Sequence, residues 1–163
     1  MTGILLIRES RSVDSMPDQP AAFNEERVMT IREFSAAKDL DYVRGTRRGW
    51  QRQIAFVKDG NPLGPNYFVI ADTLNAESVP TIWRLYLSAA QITPNAGGAT
   101  LIGKEDVDLD LFFLRPAPVK LEVKADHVSV ALDAGGTLSA VLYPRLKTEP
   151  APQVTAMAAS KGV

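Results

Sequence analysis

The sequence predicts an all-β protein, an antiparallel β-sandwich of roughly eight to ten short strands. Three observations carry this prediction. Apolar residues recur with period two, or in continuous runs of strand length, and helical periodicity over three turns is an alternative only at residues 80–91, where the β-branched and aromatic residues and the neighbouring strands favour β. The apolar runs are rich in β-branched and aromatic side chains, which pack well on a pleated surface. Between them lie clusters of Gly, Pro, Asn and Asp: Asp59-Gly60-Asn61-Pro62, Asn95-Ala96-Gly97-Gly98 and Asp133-Ala134-Gly135-Gly136. Glycine accepts positive φ there and proline fixes φ, so each cluster is turn chemistry.

Taken in chain order, residues 3–8 (Gly-Ile-Leu-Leu-Ile-Arg) form the first strand candidate, and residues 10–24, with Pro17 and Pro20, form a loop. Residues 27–31 are a second candidate, whereas residues 34–49 are mixed and show no clean period. Residues 51–58 alternate, with Ile54 and Phe56 on one face and Ala55 and Val57 on the other. Residues 67–74 are continuously apolar until Asp72. Residues 81–89 set Thr81, Trp83, Leu85 and Leu87 against Ile82, Arg84, Tyr86 and Ser88. In residues 106–114, Val107, Leu109, Leu111 and Phe113 oppose Asp106, Asp108 and Asp110, so the aspartates are expected to line a solvated face. Val119, Leu121 and Val123 alternate with Lys120, Glu122 and Lys124, and residues 138–143 close the series. Residues 154–163 hold one more short strand candidate and end on turn-like Ser160-Lys161-Gly162-Val163, the pattern of an incomplete part of a larger sandwich. The expected organisation is a single domain over residues 1–163, in which residues 1–26 supply the first strand and loop.

Composition limits the chemistry. The chain has 163 residues, with 18 basic and 19 acidic side chains and a formal net charge of −1. No long-range field therefore gathers nucleic acid or an anionic membrane, although a local basic groove remains compatible with an acidic polysaccharide. There is no cysteine, which excludes disulfides, thiolate metal sites and thiol nucleophiles. The single histidine, His127, excludes a multi-histidine metal centre. No run approaches the roughly 20 apolar residues that cross a bilayer, and the N-terminal apolar run is too short for a secretory signal. Dinucleotide, phosphate-loop and serine-hydrolase motifs are absent. No catalytic, metal or cofactor residue is therefore assigned.

The candidate binding residues are Arg84, Tyr86, Trp50 and Arg52. Arg84 shares a strand face with Tyr86, and an arginine beside an aromatic ring suits a uronic acid: the guanidinium pairs with the carboxylate and the ring supports the apolar sugar face. The competing expectation is a surface arginine packed over tyrosine. Arg44, Arg47, Arg48 and Arg52 cluster around Trp50, but Glu33, Asp39 and Asp41 lie nearby and cancel part of the field. Asp72 is expected to cap a turn or pair with an arginine, and His127 to be an edge histidine. Asp106, Asp108 and Asp110 offer a calcium reading as the alternative to a solvated face.

Two runs carry a family resemblance. Gln51-Arg52-Gln53-Ile54-Ala55-Phe56-Val57, followed by Tyr67-Phe68-Val69-Ile70-Ala71-Asp72-Thr73-Leu74, resembles the C-terminal β region of heparinase II/III-like polysaccharide lyases. The flanking Asp41-Tyr42-Val43-Arg44-Gly45, Trp83-Arg84-Leu85-Tyr86-Leu87 and Leu142-Tyr143-Pro144-Arg145 look similar to that region too, and the resemblance spans residues 27–163. It implies a β-sandwich that follows an α/α toroid, β-elimination on a uronic acid polysaccharide in the cleft between them, and a periplasmic or secreted location. The family's metal-binding histidine segments have no counterpart here, so no catalytic or metal residue is carried over, and Tyr42 and Asp72 are read as structural. The expected role is a support or cleft-wall sandwich without a complete catalytic site. The alternative is a free-standing carbohydrate-binding or protein-interaction module. Expected partners are an acidic polysaccharide, the toroid or a second copy of the chain.

Overall fold

Arg48 and Gly49 both take positive φ, 39° and 78°. This two-residue reversal matches the twist of the strands it joins, and a side chain at Gly49 would strike Ser78 and Asn75. It creates a hairpin within the stretch that lacks a clean sequence period. The computed structural model describes residues 29–61, 64–78, 80–116 and 118–154. The strand candidate at residues 3–8, the loop at 10–24 and residues 155–163 of the tail lie outside the described residues, as do the first two residues of the candidate at 27–31.

Eleven strands form among the described residues: β1 (Thr30–Ala36), β2 (Leu40–Arg47), β3 (Trp50–Val57), β4 (Tyr67–Leu74), β5 (Thr81–Tyr86), β6 (Gln91–Asn95), β7 (Gly98–Ile102), β8 (Val107–Arg115), β9 (Leu121–Val123), β10 (His127–Leu132) and β11 (Thr137–Leu146). Eight make one antiparallel sheet, in the order β1-β2-β3-β4-β11-β8-β7-β6, and three make a second, β5-β10-β9. The all-β sandwich architecture follows the sequence expectation. Two hairpins exceed it. Residues 34–49 complete β1 and form β2, and residues 91–102 form β6 and β7 about the turn at Asn95–Gly98.

The core lies where the inner faces of the two sheets meet. Trp83 and Leu85 of β5 and Val128 and Val130 of β10 pack with Ile70, Leu138, Ala140, Leu142, Leu111 and Phe113 of the large sheet. Trp83 meets Phe113 edge-on at 5.6 Å, which ties the sheets together across the core. Burial falls away at both edges of the large sheet: four of the five residues of β6 are exposed at one edge, and the fall extends over several strands at the β1 end. Every residue of β1 is exposed, and β2 and β3 each bury one residue completely, Gly45 and Trp50. On that end the inner face carries half-buried Ile54 and Phe68, with Phe56 stacked on Phe68 at 4.5 Å, and exposed Ile31 and Phe34.

The solvated aspartate face is corrected. Asp108 and Asp110 are buried, at 6% and 1% exposure, while Asp106 stays exposed ahead of β8. Arg145, opposite Asp108 in β11, donates from Nε to Asp110 Oδ2 at 2.6 Å and lies 3.6 Å from Asp108. Thr100 donates its hydroxyl to Asp110 Oδ1 at 2.7 Å, and the Gly103 amide donates to Asp108 Oδ1 at 3.1 Å. Alternation placed these carboxylates on the right face, but a cross-strand arginine more than thirty positions away on the chain makes burial tolerable by pairing and hydrogen bonding.

Candidate functional site

Strand alternation builds one polar face on the outside of the small sheet. Trp83 and Leu85 of β5 turn into the core, which sends Arg84 and Tyr86 outward. The register then sets His127 opposite Tyr86 and Ser129 opposite Arg84, with Glu122 of β9 on the other side of Ser129. The Tyr86 and His127 rings lie 4.9 Å apart at a 41° tilt, so they form one half-buried aromatic surface. His127 Nδ1 is 2.7 Å from Asp126 Oδ1, which orients the imidazole, and Lys124 Nζ is 2.7 Å from Glu122 Oε1. The hydrogen bond from His127 holds the Asp126 carboxyl below its ordinary range. Lys124, by hydrogen bond and charge, does the same for Glu122. Arg84 and Lys124 alternate here with Glu122 and Asp126. The face thus offers a guanidinium, a ring platform and an oriented imidazole without a strong net field.

Trp50 and Arg52 sit elsewhere, on the inner face of the large sheet. Trp50 closes the end of the core and is buried. Arg52 faces Asp72 across β3 and β4 and donates to it twice, from Nε at 2.8 Å and from Nη2 at 2.6 Å. Its guanidinium also lies 5.3 Å from the centre of the Trp50 ring. Asp72 is 1% exposed, so the pair is a buried, bidentate clasp. The arginine partner expected for Asp72 is therefore Arg52. The four candidate residues form two separate pairs, and the structure brings only Arg84 and Tyr86 together at a surface. Of the aromatics that a sugar platform would use, Trp50 and Trp83 are buried and Tyr86 is half-exposed.

The arginine cluster divides between the faces of the β2–β3 hairpin. Arg44 donates to Glu33 at 3.1 Å on one face, and Arg52 turns inward on the other. Burial, with Arg48 alongside, lowers the pKa of Arg47. Tyr42 donates its hydroxyl to Gln53 at 3.0 Å, a cross-strand bond between β2 and β3 that stiffens the hairpin. Among the described residues, no group of three acidic or histidine side chains is arranged to hold a metal ion, and no helix is long and apolar enough to cross a membrane.

Sequence reasoning did not find the Tyr86–His127 surface or the Arg145 clasp. Both arise from strand register between residues distant in the chain, for which the local pattern holds no signal. The available hint was that His127 and Tyr86 each open or close a strand with an alternating pattern. No protein-family model matches this chain, and no curated protein matches it.

Proposed function

We propose that this chain is the C-terminal β-sandwich of a heparinase II/III-like polysaccharide lyase, serving as the support and cleft wall for an α/α toroid rather than as a catalyst by itself. The supporting observation is that, among the described residues, the large sheet is incompletely covered. The inner face of β1–β3 extends past the small sheet and keeps Ile31, Phe34, Ile54 and Phe56 wholly or partly accessible. Apolar surface of this kind favours a second domain seated on it. The lyase-like runs are β3 and β4; β3 lies at this open end and β4 is the next strand of the sheet. Neither the buried Arg52–Asp72 clasp nor the Arg145 cluster has an acid or base free to abstract a sugar proton, which also fits a supporting role.

The test is to incubate the purified chain with a panel of uronic acid polysaccharides and follow the ultraviolet absorbance of unsaturated uronate. The expected result is no product. Turnover by the isolated chain would overturn the proposal. A second reading, a free-standing carbohydrate-binding module, draws on Arg84 beside the Tyr86–His127 surface. It predicts saturable binding of an acidic oligosaccharide that Arg84→Ala and Tyr86→Ala each weaken, whereas the support reading predicts that neither substitution alters any residual binding.

A further inference from the structure

We propose that the free edge of β1 joins two copies of this chain, strand against strand and antiparallel about a two-fold axis, so that their eight-stranded sheets merge into one. This goes beyond the support reading and does not depend on it. β1 ends the large sheet and bonds to β2 alone, so among the described residues no strand lies along its other side. An uncovered edge presents a row of backbone donors and acceptors that template a further strand. All seven residues of β1 are exposed. Ile31 and Phe34, at 67% and 69%, are the most exposed of the large hydrophobic residues described.

A bulge makes those two side chains act together. Ile31 lies opposite Gly45, Glu33 opposite Arg44 and Phe34 opposite Val43, so Arg32 is the extra residue. Gly45 and Val43 share a face of β2, and Ile31 and Phe34 therefore share the inner face despite their odd spacing. Bulges and charges normally protect an edge from pairing. Here the run Ile31-Arg32-Glu33-Phe34 is self-complementary under an antiparallel two-fold. Ile31 of one copy meets Phe34 of the other, and Arg32 meets Glu33, each contact occurring twice as a closed isologous interface requires. The charges have partners within one copy: Arg32 Nε donates to Thr46 Oγ1 at 2.9 Å, and Arg44 donates to Glu33 Oε2 at 3.1 Å. Those bonds use one donor of a guanidinium that has five and one oxygen of a carboxylate that has two. The remaining groups face the neighbour's opposite charge. The two-fold stands perpendicular to the sheet, so the apolar inner faces of both copies become continuous.

Sedimentation velocity of the full chain over a rising concentration series tests the pairing. The expected result is a reversible monomer–dimer equilibrium. Arg32→Glu puts two acids on the edge and Glu33→Arg puts two bases there, and each alone weakens dimerisation roughly tenfold or more, because both cross-strand ion pairs become like-charge contacts. Mixing the two variants restores both pairs, so a heterodimer forms with near wild-type affinity. Both side chains are exposed, and circular dichroism of each variant checks that the fold is kept. A wild-type chain that stays monomeric, as it would if another segment or a different partner covers this edge, overturns the proposal. So does dimerisation that is indifferent to the single substitutions, or a mixture that fails to associate.

Discussion

The two ends of the large sheet are built from similar strands and meet different fates. Across β4, β11, β8 and β7, alternating apolar side chains lie under the small sheet, and Leu111, Leu138 and Ala140 are fully buried with Trp83 of that sheet. At the β1-β2-β3 end, the same alternation yields Phe34 at 69% exposure and a merely half-buried Ile54. Period-two patterning decides which face a side chain takes. The depth of its burial depends on whether a second layer lies above it. The ion pairs also differ in burial, though not by the same rule: Arg52–Asp72 and Arg145–Asp110 are enclosed, while Arg44–Glu33 stands in solvent. A pair in solvent contributes little, whereas an enclosed one makes each partner dependent on the other.

The largest effect that sharpens this contrast is expected from Trp83→Ala. Emptying the core between the sheets should destabilise the chain by about 3–5 kcal/mol in urea denaturation, enough to unfold much of a marginally stable domain. Asp72→Ala follows, at about 3–5 kcal/mol or somewhat less, because it strands the Arg52 guanidinium beneath the sheet. The double variant Arg52→Met/Asp72→Leu should recover most of that loss, and a double variant no more stable than Asp72→Ala would show that the pair does not account for the cost. Phe34→Ala, at the uncovered end, should change monomer stability by under about 0.5 kcal/mol when measured at high dilution. Hydrogen exchange should be fastest along β1 and slowest in β10 and β11; comparable protection of β1 in the dilute chain would erase the distinction between the ends.

The smallest effect concerns the outer face of the small sheet. His127→Ala should move the Asp126 carboxyl back up toward its ordinary range in an NMR titration, because the hydrogen bond from His127 is the main cause of its depression. The sign follows from linkage. A carboxyl depressed by folding contributes its stability above its unfolded pKa and loses it as pH falls through the lower folded value. Asp126 is fully exposed, so the titration curve rather than the melting temperature is the sensitive readout.

Much of the strand layout was legible in the chain. The continuous apolar run of residues 67–74 predicts a strand and forms β4 with the same bounds, and the inward set of Thr81, Trp83 and Leu85 holds in β5. The β2–β3 hairpin was not legible, because its turn is Arg48-Gly49 instead of the Asn-Gly or Asp-Gly that announces such turns, and Arg48 takes a positive φ that its side chain does not advertise. Of the candidate site residues, Arg84 and Tyr86 share a face as alternation required. Trp50 and Arg52 were assigned to a basic cluster because Asp72, the partner that claims Arg52, lies in the next strand of the sheet.

By itself the sequence determined the all-β class, the turns at residues 59–62, 95–98 and 133–136 and the two-sided character of the alternating strands, since all three follow from local sterics and period-two hydrophobicity. Only the tertiary structure decided which faces are covered. It sank Asp108 and Asp110 against Arg145, set His127 beside Tyr86 and, among the described residues, left the edge of β1 without a second neighbour. Those outcomes depend on register and on the layer above a strand, and both are set by contacts between residues far apart in the chain.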